Sequence, residues 1–232
     1  MMELAGKRVL ITGGAVRVGA ALAEGFAHAG AKITIHYRRS AEEAERLLSA
    51  LPGVGHDCIQ ADLADPEEAG ALISRLGHSI DILVNNASYY VRGEAEAAVC
   101  RQVNVLSPVA LMEAFAAQKG IKNGVILNLL DGAALRKTPE LDPYTASRVE
   151  LAQLTQEFAK RLAPDIRVNG LAPGPVLPPV WMPASRMANV SLRLPLKHPA
   201  DLSELVDAAL LLCRADSLTG VLLPVDCGLH LT

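Results

Sequence analysis

Tyr144 and Arg148 stand four residues apart in the run Tyr144-Thr145-Ala146-Ser147-Arg148. On a helix that spacing puts the phenol and the guanidinium on one face. A cation beside a phenol favours its ionised form, and a phenol tuned in this way is a general acid. Asp131 ends the apolar stretch 124–130 that precedes this helix. On its own it reads either as a second acid or as a strand-end turn former.

A second group of residues suits an anion. Val9-Leu10-Ile11 stops at Thr12-Gly13-Gly14 and gives way to Ala15-Val16-Arg17-Val18-Gly19. This reads as a strand, a glycine turn and a helix start, where backbone N–H groups and the helix dipole can receive a pyrophosphate. Taken alone, Gly13-Gly14 could simply be a strand cap with no ligand. A helix pattern from Ala20 to Ala27 and a second strand, 32–37, complete the βαβ unit that a dinucleotide site requires.

The second strand runs out in His36-Tyr37-Arg38-Arg39-Ser40, with no acid before Glu42. An acid there would bind a ribose 2′-hydroxyl, whereas cations suit a 2′-phosphate, which guanidinium groups grip in a bidentate fashion. Arg38, Arg39 and Arg17 therefore point to NADP(H), with a solvated basic cluster as the alternative. Asp62-Leu63, after the third strand, stands where an adenine would lie. Asn85-Asn86-Ala87-Ser88, after the fourth, suits backbone contact with a ribose, although Asn-Asn is also an ordinary turn.

Strand patterns near 8–12, 32–37, 57–61, 81–85, 124–130, 166–172 and 221–225 alternate with helical patterns near 15–29, 41–51, 66–77, 95–119, 144–163 and 202–213. The expected fold is α/β: a doubly wound, Rossmann-like parallel sheet of about seven strands with helices on both faces. No linker or repeat interrupts it, so residues 1–232 are expected to form a single domain. The stretch 173–199 breaks the rhythm with seven of the 14 prolines, together with Trp181, Met182 and Met187. It is expected to be an irregular substrate loop, or else a poorly ordered insertion.

A net charge of −3 argues against a nucleic-acid or anionic-membrane binder. The four scattered cysteines form no CxxC pair and no histidine stands at metal-ligand spacing, so no metal is expected. Apolar runs are shorter than a membrane span and the first residues do not resemble a signal peptide. A cytoplasmic protein is the expectation.

The glycine turn, Asn85-Asn86-Ala87, Tyr144-x-x-x-Arg148, and Ile166-Arg167-Val168-Asn169 through Pro173-Gly174 resemble the short-chain dehydrogenase/reductase family over nearly the whole chain. Within it the details are similar to the pteridine reductases: Arg17 in place of the second turn glycine, the run His36 to Ser40, Asp131 in place of the usual Ser, and Leu223-Pro224-Val225-Asp226 followed by Gly228 and His230. The resemblance implies NADPH-dependent reduction of a pterin, dihydropterin or folate-like ring. It makes Tyr144 the active-site phenol, Asp131 its partner in protonating the substrate, and Asn104 the holder of a relay water. It assigns Ser88 and Tyr90 to the pterin, has Arg17 reach both cofactor phosphate and substrate, and includes Pro173-Gly174 in the cofactor site.

Two residues depart from the family pattern: Arg148 stands for Lys, and Cys227 for a Gly. Arginine can hold ribose hydroxyls and supply charge, but it does not relay a proton by losing one. A carbonyl reductase of other specificity, or an NADP(H)-binding protein without turnover, are the alternatives. The helix 144–163 carries Leu151, Ala152, Leu154, Phe158, Ala159 and Leu162, more apolar surface than one sheet face needs. Together with the resemblance, this leads to an expected homotetramer.

Overall fold

Parallel strands covered by helices on both faces have no wet side, so their sequences are short unbroken apolar runs. In the computed structural model, which describes residues 1–91, 93–138, 142–178 and 189–232, seven strands form one sheet, most of them built on such runs. They are β1 (Arg8–Ile11), β2 (Lys32–Tyr37), β3 (Asp57–Gln60), β4 (Ile82–Asn85), β5 (Gly124–Leu129), β6 (Ile166–Pro173) and β7 (Leu222–Val225). The helices around it are α1 (Arg17–His28), α2 (Ala41–Ala50), α3 (Pro66–Ala71), α4 (Ala97–Arg101), α5 (Ser107–Ala116), α6 (Pro143–Leu162) and α7 (Leu202–Arg214).

The strand order is β3-β2-β1-β4-β5-β6-β7, with every neighbouring pair parallel. Alternate residues of one strand feed two cores. Val9 and Ile11 pack with Leu22 and Phe26 of α1 and Leu205 and Leu212 of α7, while Leu10 packs with Leu111 and Phe115 of α5 and Phe158 of α6. The winding reverses between β1 and β4, so the crevice beyond their carboxyl ends is the place for a ligand.

Three helical expectations change. The pattern over 15–29 becomes a helix only from Arg17, because Val16 is an extended N-cap and Arg17 itself has φ 56°. The pattern over 66–77 is α3 followed by a 3₁₀ turn, Ser74–Leu76, that ends at Gly77 with φ 69°. The long pattern over 95–119 divides into a 3₁₀ turn, α4, a π-turn at Gln102–Leu106, and α5, which opens at Ser107-Pro108. Apolar periodicity does not register a π-turn, since it adds a residue without breaking the apolar run.

The apolar face of α6 has an explanation within the chain. Phe158 and Ala159 belong to one core, Leu151 and Ala152 to another, and Leu154 and Leu162 are partly buried against the first. They are therefore not surplus surface. Of the 173–199 stretch, residues 179–188, with Trp181, Met182 and Met187, lie outside the described residues.

Candidate active site

The β1–α1 turn is held by side chains from three strands. Thr12 Oγ1 accepts the N–H groups of Asn86 and Ala87 at 2.9 and 3.0 Å, and Asn86 Nδ2 donates to the Thr12 and Gly13 carbonyls at 2.8 and 3.1 Å. Gly13 N–H donates to His36 Nδ1 at 3.0 Å, so the imidazole proton sits on Nε2 and is donated to Ala61 O at 3.1 Å. Burial lowers the pKa of His36 to about 4 and keeps the ring neutral. Gly13 has φ 60°, and a Cβ on Gly19 would stand 2.1 Å from Gly13 O. The backbone can close this tightly only with glycine at both positions.

Over this turn opens a cavity of about 690 Å³. Of the expected site residues it is lined by Gly13, Arg17, Val18, Gly19, His36, Arg38, Asp62, Leu63, Asn86, Ala87, Ser88, Tyr90, Tyr144, Arg148 and Pro173. A second cavity of about 330 Å³ shares Arg17, Val18, Leu130, Tyr144 and Pro173 with it and adds Asp131, Gly174, Val190 and Leu229. Arg17 spans the two: its Nη2 donates to the Leu177 and Pro178 carbonyls at 3.2 and 3.0 Å. Arg38 donates Nε to Asp62 Oδ2 at 2.9 Å on the rim of the larger cavity.

Tyr144 and Asp131 meet where the cavities join. Pro143 begins α6 and Asp142 caps it, accepting the Tyr144 and Thr145 N–H groups at 2.9 and 3.0 Å, which fixes the phenol at the first turn. Asp131 caps the 3₁₀ turn Gly132–Leu135, with Oδ1 on Ala133 N–H at 2.8 Å, leaving Oδ2 to accept the Tyr144 hydroxyl at 3.2 Å. The Arg148 guanidinium lies 5.3 Å from the Tyr144 ring centroid and donates Nη1 to Leu129 O at 3.0 Å. Arg148 is 2% exposed, and its Nε has no hydrogen-bond partner among the described residues. Tyr90, half-exposed, sets its ring edge-on to Tyr144, with centroids 4.8 Å apart.

The electrostatics reverse one expectation. Burial raises the Tyr144 phenol above its ordinary value and outweighs Arg148, which pulls it down; the Asp131 charge adds to the rise. Burial likewise raises Asp131, against the Ala133 N–H and Arg148. Burial thus disfavours the ionised form of both groups.

Other expected residues lie elsewhere. Asn104, at 0% exposure in the π-turn, spends its side chain on Tyr89, accepting its N–H at 2.8 Å and donating to its carbonyl at 3.0 Å, and on Ser147 Oγ at 3.0 Å. That amide is thus a clamp on the Tyr89 loop, and it lines neither cavity. Tyr37 is partly buried against the core, Arg39 is exposed, and Ser40 is the N-cap of α2; none of the three lines either cavity. β2 ends at Tyr37 and the chain bends at Arg38-Arg39, and of the two adjacent arginines only Arg38 lines the crevice.

Tyr89 lines the larger cavity, with its hydroxyl donated to Glu96 at 2.6 Å, and the neighbouring Tyr90 was the available signal for it. Leu229 had none. At Cys227 the backbone has φ 52°, the conformation for which glycine is the ordinary choice.

The comparisons with known proteins agree with this geometry. The FolM alternative dihydrofolate reductase 1 of Brucella canis, solved in complex with NADP, superposes with a TM-score of 0.91 at 30% identity, covering 99% of this chain and 96% of that one. The dihydromonapterin reductase of Shigella flexneri is 29% identical over 96% of both chains, and the L-xylulose reductase of Cavia porcellus 31% identical over 98% of both. The short chain dehydrogenase family model matches residues 7–189. With that match, and with the glycine turn and the Tyr144–Arg148 helix both opening on one crevice, the chain belongs to the short-chain dehydrogenase family of oxidoreductases.

Proposed function

We propose that this protein is an NADPH-dependent reductase acting on a pterin, dihydropterin or folate-like ring. The observation that carries it is Asp131 Oδ2 at 3.2 Å from the Tyr144 hydroxyl, at the junction of the two cavities. A ring nitrogen of a pterin must gain a proton as the neighbouring carbon gains hydride, and two adjacent acids with raised pKa values can supply it. The relatives named as dihydromonapterin reductase and alternative dihydrofolate reductase favour the same substrate class.

The crevice fits NADP(H). The Gly13–Gly19 turn leaves room for a pyrophosphate, Arg38 stands at the end of β2 where a 2′-phosphate would be held, and Asp62 and Leu63 line the adjoining wall. Arg38 gives Asp62 only its Nε in their ion pair, and a guanidinium carries five N–H donors. Arg148 lines the same cavity, and its guanidinium is suited to a ribose hydroxyl. NADPH, when bound, supplies the hydride. Tyr144 and Asp131 deliver the proton, Arg17 bridges from the turn to the substrate side, and Ser88 and Tyr90 line the cavity with the phenol.

The single domain and the homotetramer expected of such a reductase belong to this reading. A carbonyl reductase of other specificity is the second reading, favoured by the relative named L-xylulose reductase. The test is NADPH consumption by the purified protein with a panel of dihydropterins, dihydrofolate and simple ketones. Turnover of a dihydropterin in preference to the ketones is expected; turnover of ketones alone would replace this reading with the second.

A further inference from the structure

The turn after β7 puts Leu229 in the wall of the smaller cavity, which Arg17, Asp131 and Tyr144 also line. It opens the 3₁₀ turn Leu229–Leu231, which follows two left-handed residues, Cys227 with φ 52° and Gly228 with φ 85°. A chain end folded this way on surface contacts alone would fray. Here it is tied on three sides.

Asp226, 3% exposed, accepts the N–H groups of Gly228 and His230 at 3.0 and 2.7 Å and pairs with His230 Nδ1 at 2.9 Å. It also sits directly against the residues that follow two of the cavity-lining positions. A Cβ on Gly132, next to Asp131, would stand 2.6 Å from Asp226 Oδ2, and one on Gly174, next to Pro173, would stand 2.7 Å from Asp226 Cα. The second tie is Arg136, at the end of the turn that Asp131 caps: its Nε donates to Leu229 O at 3.3 Å and its Nη2 to Thr232 Oγ1 at 2.9 Å. The third is the end of the proline-rich stretch, where Leu196 N–H donates to Cys227 O at 3.2 Å and Pro195 closes over Gly228. The position of Leu229 is thus set by the same short turn that carries Asp131.

We propose that the C-terminal turn is the specificity wall of the substrate cavity, with Leu229 limiting the bulk of the substituent that the reduced ring carries and Arg136 as the positioning residue. The substrate class in this statement rests on the proposed function; the wall itself does not. The remainder of the cavity beyond Asp131, Tyr144 and Arg17 is lined largely by apolar side chains such as Val176, Leu177 and Val190, so shape rather than hydrogen bonding discriminates there. Discrimination by one or two carbon groups in such a pocket amounts to about 10–200-fold.

The test compares kcat/KM for a dihydropterin with a small 6-substituent and for one with a bulky 6-substituent, in wild type, Leu229→Ala and Leu229→Trp. The bulky-to-small ratio should rise about tenfold or more in the alanine variant and fall in the tryptophan variant, while the NADPH dissociation constant stays at its wild-type value. Arg136→Ala should move the ratio in the direction of Leu229→Ala, and Arg136→Lys, which keeps one donor, should bring it back toward wild type. Should dihydropterins be inert and ketones react, the proposed function falls and the same ratio is read on ketones of increasing side-chain length. An unchanged ratio in whichever series reacts overturns the wall. No turnover of either series overturns both.

Discussion

Tyr144, Asp131 and Arg148 come together because a helix repeat and a strand end bring them there, and both features are visible in the residue pattern. The sign of the phenol's shift was not visible. A cation four residues away argues for ionisation, yet burial works against it more strongly, and burial is set by residues far off in the chain. Tyr144→Phe should therefore lower kcat by about 10²–10⁴-fold with the NADPH dissociation constant nearly unchanged, as read by steady-state kinetics and a cofactor titration. A loss confined to cofactor binding would show that the phenol holds the ligand and does not donate a proton. Arg148→Lys should keep or raise kcat, since it retains the charge beside Tyr144 and restores a group able to pass a proton on. An inert wild type beside an active lysine variant would instead identify a binding protein that has lost catalysis.

At the scale of elements, the end of β2 shows how far a linear run can be read. The run His36 to Ser40 reads as one cofactor-facing group, but the structure divides it: His36 locks the turn, Tyr37 packs against the core, Arg38 lines the crevice and the exposed Arg39 does not. Arg38→Glu should therefore erode the preference for NADPH over NADH by about tenfold or more, and Arg39→Glu by much less, in parallel cofactor titrations. Equal effects would return Arg39 to the site.

His36 also predicts a pH dependence. Its ring takes up a proton near pH 6.5 when unfolded and only near pH 4 when folded. Between those values the unfolded chain binds more protons, so stability is complete above 6.5 and is lost as pH falls toward 4, by about 3 kcal/mol for a shift of this size. Thermal midpoints across that range should fall less steeply for His36→Asn than for wild type; parallel curves would remove the role given to the buried ring.

For the molecule as a whole, all seven strands were legible because short strand patterns alternating with helical patterns admit few other folds. The π-turn at Gln102–Leu106 was not, and with it went the position of the Asn104 amide. The apolar side of α6 was legible as apolar but not as already covered, since its partners Leu10, Ile126 and Val168 come from three different strands. The homotetramer proposed with the reductase reading is checked by sedimentation at micromolar concentration: that proposal predicts a single tetrameric species, and monomer alone would contradict it.

The most direct test of the central claim is Asp131→Ser, which puts the family's usual hydroxyl beside Tyr144 in place of the carboxyl. Its kcat/KM should be measured with NADPH against one dihydropterin and one simple ketone, beside wild type. The dihydropterin value should fall by about 10²-fold or more while the ketone value holds or rises, because only ring-nitrogen protonation needs the second acid. A dihydropterin rate that survives the substitution would contradict the role of Asp131, and a wild type that reduces only the ketone would contradict the function.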